Sequence, residues 1–231
     1  MYIIICEFFF FSINHITFRG YVKIFNFNFR GLLCQGQKRF DEAIVFYENA
    51  IKFRPKLAQA FLNLGGIFTK QGHFLRAMEI FRQCSKIDPS GMKNVRELIS
   101  AQIGALYNLG KLHTEAGDHD KALSIFLEAI DRLPNAEANY PAQQLFNIVG
   151  ETMLKMNRLN DAELWFERAI KHSPKQTSSQ LTWAKFLVRQ NRTVDAENVY
   201  LIALKTSPND TSVYEHYGKF LINKKKKKKI L

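Results

Sequence analysis

The chain has 231 residues, 46% of them hydrophobic, enough to bury a substantial core in one large domain or a linear array. Its formal net charge of +12 is unevenly placed: six charges are the lysines at 224–229 and a further +2 lies in residues 1–30, leaving about +4 for residues 31–223. A nearly neutral body without a basic stripe argues against a nucleic-acid partner, and three scattered cysteines, Cys6, Cys34 and Cys84, argue against a disulfide framework or a zinc site.

Residues 1–30, MYIIICEFFFFSINHITFRGYVKIFNFNFR, are dominated by Phe, Ile, Asn, Tyr and Lys. Glu7 interrupts an apolar run too short for the ~20 residues of a membrane span, and no basic start or small-residue cleavage site marks a signal peptide. All five abundant residue types have codons made wholly of A and T, as do the terminal lysines. The expectation is therefore that residues 1–30 and the poly-lysine tail at 223–231 are translated non-coding sequence flanking a fragment. The alternative for the first segment is a crude membrane anchor.

From Gly31 a repeated spacing of large and small residues sets in, partway through a first helix. Gly31 and Cys34 are followed by Phe40, Ala43, Tyr47, Ala50 and Pro55. The clearest copy is 58–91, with Phe61, Leu64, Gly65 and Phe68, then Gly72, Ala77, Phe81 and Pro89, and Pro55 and Pro89 are one 34-residue period apart. The apolar residues fall on one face of each of two helices: Ala60, Phe61, Leu64 and Phe68, then Phe74, Ala77, Phe81 and Cys84. Gly65 admits the second helix, Gly72 is expected at a turn that a side chain would obstruct, and Asp88 with Pro89 stops the second helix.

An insertion, SGMKNVRELISAQ, follows, whose 94–102 stretch suits a helix and predicts that the next first helix begins early. The third copy carries Leu106, Leu109, Gly110 and His113, then Gly117, Ala122, Phe126, Ala129 and Pro134. After a second insertion, NAEANYPA, the fourth has Phe146, Val149, Gly150 and Met153, then Ala162, Phe166, Ala169 and Pro174. The fifth has Trp183, Ala184, Leu187, Ala196, Tyr200, Ala203 and Pro208, and a sixth opens with Tyr214, Tyr217, Gly218 and Leu221. This is the tetratricopeptide spacing. The fold expected is all-α, a right-handed solenoid of about five helical hairpins truncated at both ends. Its units lie at about 31–57, 58–91, 92–136, 137–176 and 177–210, with a partial one at 211–222.

No P-loop, dinucleotide-binding glycine pattern, HExxH or GxSxG appears, so no catalytic residue, metal ligand or cofactor site is assigned. Cys34 and Cys84 fall where helix faces meet and are expected as small buried hydrophobes. His113 is expected in the core and His119 on the surface. The acidic pairs Asp41/Glu42 and Asp118/Asp120 stand at second-helix starts, where negative charge is favourable and caps free N–H groups.

Function is sought instead in the groove. In such arrays the first helices line a concave surface, and their residues outside the packing positions meet an extended peptide or protein partner. Those positions hold Asn63, Thr69 and Lys70; Tyr107, Asn108 and Lys111; Asn147, Glu151 and Lys155; Thr182, Lys185 and Arg189; and His216 and Lys219. Lys111, Lys185 and Lys219 are equivalent and form a loose cationic row, while Asn63 and Asn108 can hydrogen-bond a peptide backbone. Asn191-Arg192-Thr193 and Asn209-Asp210-Thr211 are glycosylation sequons in expected turns.

Over 31–222, with runs such as ALYNLGKLHTEAGDHDKALSIFLEAI, QLFNIVGETMLKMNRLNDAELWFERAI and LTWAKFLVRQNRTVDAENVYLIAL, the chain resembles a narrower family. It is similar to the carboxyl-terminal repeats of the transmembrane and tetratricopeptide-containing protein O-mannosyltransferases that target cadherins, and within that family to the second type. The resemblance implies a parent enzyme of the endoplasmic-reticulum membrane that uses dolichyl-phosphate mannose, with these repeats lumenal and its catalytic residues in a multispanning part absent here. No membrane span is expected in this chain, and no catalytic position is carried over. The alternative is a cytoplasmic tetratricopeptide adaptor or co-chaperone. Against the latter, the early first-helix positions where a chaperone-tail clamp needs Lys and Arg hold Gln59, Gly104, Gln144 and Ser178.

Overall fold

A computed structural model describes residues 27–137 and 140–230, with side chains through Lys225. The expectation of non-coding sequence or an anchor at the amino terminus rests chiefly on residues 1–26, which lie outside the described residues, as does Leu231. Among the described residues there are eleven α-helices, one short 3-10 turn and no strand. In chain order they are α1 (27–36), α2 (Phe40–Phe53), α3 (Ala58–Lys70), α4 (Phe74–Ser85), α5 (Val95–Glu115), α6 (His119–Asp131), the 3-10 turn Leu133–Asn135, α7 (Ala142–Lys155), α8 (Leu159–His172), α9 (Thr177–Arg189), α10 (Thr193–Thr206) and α11 (Thr211–Ile230).

The helices form two compact units whose boundary, between Ala105 and Leu106, falls inside α5. In the first, α3 packs along α4 and α2 against α3; in the second, α7 packs along α8, α9 along α10, and α6 against α7. The first insertion is helical from Val95 and joins the next first helix into the single α5. Asn94 caps it, its Oδ1 accepting the Glu97 N–H at 3.2 Å. The poly-lysine stretch continues α11 as helix.

Four of the five described hairpins close on one contact. A Cβ added to Gly65 would stand 2.6 Å from the Phe81 ring, one on Gly110 2.4 Å from Phe126, one on Gly150 2.6 Å from Phe166, and one on Gly31 2.6 Å from Tyr47. The rings, sixteen residues beyond their glycines, are fully buried, and the alanines four residues before them, Ala43, Ala77, Ala122 and Ala162, are completely inaccessible. Small residues on both sides let the helix axes approach until ring and backbone touch. Phe74, the first residue of α4, is exposed and does not join the buried face the sequence assigned it to. Cys34 and Cys84 are buried thiols, and burial pushes Cys84 up to about 12.

The turns share a backbone requirement. Gly72 and Gly117 have φ of +79° and +87°, and Lys38, Asn157 and Asn191, at the equivalent positions, have φ of 62°, 60° and 59°. Open space surrounds a Cβ built on Gly72, so the obstruction expected from the sequence is absent, and glycine is favoured there by its dihedral alone. The second-helix acids also differ from expectation. None of the helices bearing Asp41, Glu42 or Asp120 in its first turn has a side-chain cap hydrogen bond, and Asp118, at the cap position of α6, makes none either. Three second-helix starts instead carry an arginine bonded to an acid three residues on. Arg39 Nε donates to Glu42 at 2.7 Å, Arg158 Nε to Asp161 at 2.8 Å, and Arg192 Nε to Asp195 at 2.9 Å. Asp118 turns to buried His113, 3.4 Å from its Nδ1. His119 is half-buried, more enclosed than a surface position.

Gly65 and Gly66 are neighbours inside α3, yet a Cβ on Gly66 meets nothing within 4 Å. Gly65→Ala is expected to destabilise the chain by about 1–3 kcal/mol through overpacking, and Gly66→Ala to stabilise it by roughly 1 kcal/mol through helix propensity. Urea melts followed by circular dichroism check this, and equal effects of the two would refute the ring-on-glycine account.

Candidate functional site

First helices put their packing residues at i, i+4 and i+7 and leave a second stripe of side chains turned away from the hairpin partner. In the first unit that stripe holds Asn63, Thr69 and Lys70. The Thr69 hydroxyl donates to the Gly65 carbonyl at 2.9 Å and is satisfied within its own helix. Asn63 Oδ1 accepts from Gln59 Nε2 at 2.9 Å, while its Nδ2 is buried without an acceptor in hydrogen-bonding geometry. Asn63 lies close enough to favour the Tyr47 phenolate, but burial outweighs it and takes Tyr47 to about 12; its hydroxyl is 3.0 Å from Gln35 Oε1, to which it donates. Lys70 is exposed at the end of α3.

The second unit gathers more of the predicted residues. Glu151 on α7 faces Lys155 from its own helix, Lys185 and Arg189 from α9, and Lys111 from α5. The surrounding protein raises the Glu151 carboxyl, with those four cations pulling it down in that order of strength. Among the described residues none of the four makes an ion pair within 4.0 Å, so the acid sits inside a loose ring of like charges, held by distance and not by contact. Lys111 Nζ also lies 5.8 Å over the Tyr107 ring, a cation–π contact. Burial and the Glu151 charge both raise Tyr107.

Beside Tyr107 stands Tyr140, a residue of the second insertion, half-buried and pushed up to about 12 by burial and then by Tyr107. It also lines a cleft of about 360 Å³ with Leu133, Pro134, Ala142, Phe146 and His172. Nothing in the sequence pointed to Tyr140, because it lies outside the repeat register. The other candidates are held in place. Asn147 Nδ2 donates to Ser179 Oγ at 3.0 Å, tying α7 to α9. Thr182 donates to the Ser178 carbonyl at 2.9 Å, and Asn108 is half-buried. Lys219 does not join the ring: its Nζ donates to Glu215 at 2.5 Å. His216 is lowered by burial and next by Lys185, with Glu215 opposing. Asn191 and Asn209 are exposed in turns.

Matches to the tetratricopeptide-repeat sequence profiles cover residues 33–72, 58–90 and 104–136. Fold and repeat sequence together define the chain as an array of tetratricopeptide repeats, a scaffold class for protein interaction. Among particular proteins, it is similar to Protein O-mannosyl-transferase tmtc2 of Xenopus laevis, with 35% identity over 111 residues that make up 48% of this chain and 13% of that relative. The chain thus spans a small part of the enzyme it matches. Among solved structures, PilF of Pseudomonas aeruginosa superposes with a TM-score of 0.63 at 18% identity, covering 90% of this chain and 87% of that one. YrrB, described as a tetratricopeptide protein with an unusual peptide-binding site, gives 0.54 at 14%, covering 83% and 90%. At such identities the likeness is one of fold.

Because the folded state raises Glu151 from its ordinary value, ionising it opposes folding, and that part of the stability is present at low pH and lost as pH rises through the usual Glu range. Glu151→Gln is therefore expected to melt at or above the wild-type temperature at pH 7, with the difference vanishing at acidic pH. A lower melting temperature at pH 7 would show the cation ring to be a stabilising ion cluster instead.

Proposed function

We propose that the first-helix surface of the second unit binds an extended, acidic segment of a protein. We further propose that the chain is the lumenal repeat portion of an endoplasmic-reticulum protein O-mannosyltransferase, recruiting a protein substrate or partner to it. The observation that carries the binding role is the single carboxylate of Glu151 among Lys111, Lys155, Lys185 and Arg189. One acid cannot neutralise four cations, so the surface presents a local excess of positive charge that steers a carboxylate-bearing chain and rejects a basic one. Tyr107 and Tyr140 add flat apolar area with polar edges beside it, suited to an extended backbone.

The enzyme context is supported by the similarity to the Xenopus laevis mannosyltransferase. No helix among the described residues is long and apolar enough to cross a membrane. The exposed Asn191 and Asn209 are the marks to use for compartment. A lumenal chain is expected to shift mobility on glycosidase treatment and to lose that shift in Asn191→Gln/Asn209→Gln; a cytoplasmic adaptor would show no shift.

For the surface itself, a fluorescent Asp/Glu-rich peptide is expected to bind with strong salt dependence. Lys111→Glu/Lys185→Glu should weaken it by about tenfold or more, a change of about 1.4 kcal/mol, and Glu151→Gln should tighten it. Unchanged affinity in the double reversal, measured by anisotropy, would reject the acidic partner.

A further inference from the structure

The second insertion builds a cleft that the repeat spacing does not supply. Ala136, Ala142 and Phe146 give it a buried apolar lining, while half-buried Tyr140 and exposed Glu137 and His172 put polar groups around it. Its walls are tied down before any ligand arrives. The Ala136 N–H donates to the Leu133 carbonyl at 3.1 Å, the Tyr140 N–H to the Glu137 carbonyl at 3.0 Å, and the Ala142 N–H to the Tyr140 carbonyl at 2.8 Å. Phe146 is braced by the edge of the His172 ring at 5.6 Å, by Trp165 at 5.9 Å, and by the Arg168 guanidinium 5.6 Å over its face. The cleft lies between α6 and the α7–α8 hairpin, inside the second unit, with α9 and α10 following. A further repeat at either end of the array would not reach it.

We infer that this cleft seats one tyrosine side chain of the acidic segment that lies on the cation ring; the inference rests on that reading of the ring. Size comes first. At about 360 Å³ the cleft stands at the lower end of ligand sites, which run from ~300 to ~1,000 Å³. It has room for one bulky side chain and none for a helix, about 10 Å across. Chemistry narrows the choice. A charged side chain would lose its hydration against Ala136, Ala142 and Phe146. An aliphatic one would forgo the ring contacts that Phe146, Tyr140 and His172 offer, and a tyrosine makes them while its hydroxyl meets the polar surround. Position joins the cleft to the ring. Tyr140 stands beside Tyr107, over whose ring Lys111 lies at 5.8 Å, so cleft and cation ring share a wall that one extended chain can cross.

The probes are two fluorescein-labelled Asp/Glu-rich peptides, alike except that one carries tyrosine at both ends and the other alanine, each titrated with the full chain by anisotropy. The tyrosine peptide is expected to bind about tenfold tighter. Ala142→Leu, whose added atoms fill the cleft, should abolish that advantage and leave the alanine peptide's affinity unchanged. His172→Ala, at an exposed position, removes one ring of the wall without touching the core and should cut the advantage about threefold. Helicity by circular dichroism shows which variants are folded. Equal binding of the two peptides by wild type, or a full advantage kept in either folded variant, would overturn the inference and leave the reading of the cation ring standing. Failure of both peptides to bind would reject that reading and the inference with it.

Discussion

The contact on which this chain depends is an aromatic ring lying on the backbone of a glycine, made within both units. Because glycine carries only hydrogens at that point, Phe81 reaches Gly65, Phe126 reaches Gly110 and Phe166 reaches Gly150. The two helices of these hairpins are thereby drawn to a separation that only small neighbours such as Ala77, Ala122 and Ala162 allow. Much else follows from that separation. The connecting turn must reverse the chain in few residues, which demands a positive φ, and the hairpin enforces it even where the residue is Lys38, Asn157 or Asn191. Local strain of that kind persists because the packing on both sides over-determines it.

Charge is arranged around the same framework. At several second-helix starts arginine and acid neutralise one another across three residues, as with Arg39 and Glu42 or Arg192 and Asp195, in exposed pairs that solvent screens. Their chief consequence is electrostatic bookkeeping on the outer helices. The first-helix stripe of the second unit is different: Glu151 has four cations near it and touches none. A stripe left uncompensated by its own chain is suited to being compensated by another, and this is the physical ground for reading it as a recognition surface. The fold alone would not have led there, since it is shared with proteins only 14–18% identical to this one.

Much of the architecture was legible because it rests on periodicity. The 34-residue spacing and the large-small alternation located the hairpins from Gly31 onward, and the early start of α5 followed from the helix-compatible residues after Asn94. The candidate site was only partly legible. The stripe positions could be counted out, but whether a side chain there faces a ligand or a neighbour depends on contacts across the repeat period. Asn147 meets Ser179 and Thr69 bonds back to its own helix, neither of which spacing reveals. Tyr140 was invisible because an insertion has no register, and the equivalence of Lys111, Lys185 and Lys219 concealed the fact that Lys219 is occupied by Glu215 one helical turn away.

By itself, then, the amino-acid sequence determined most of the buried repeat positions and how the helices pair, because a glycine and an aromatic at fixed separation favour one close-packed solution. Tertiary structure alone decided which equivalent residues stay equivalent. Gly65, Gly110 and Gly150 hold a ring while Gly218 holds none, and Lys111 and Lys185 share an acid while Lys219 keeps its own. Packing follows from local size and period; the fate of an exposed glycine or lysine follows from what the neighbouring helix brings to it, and that neighbour is remote in sequence.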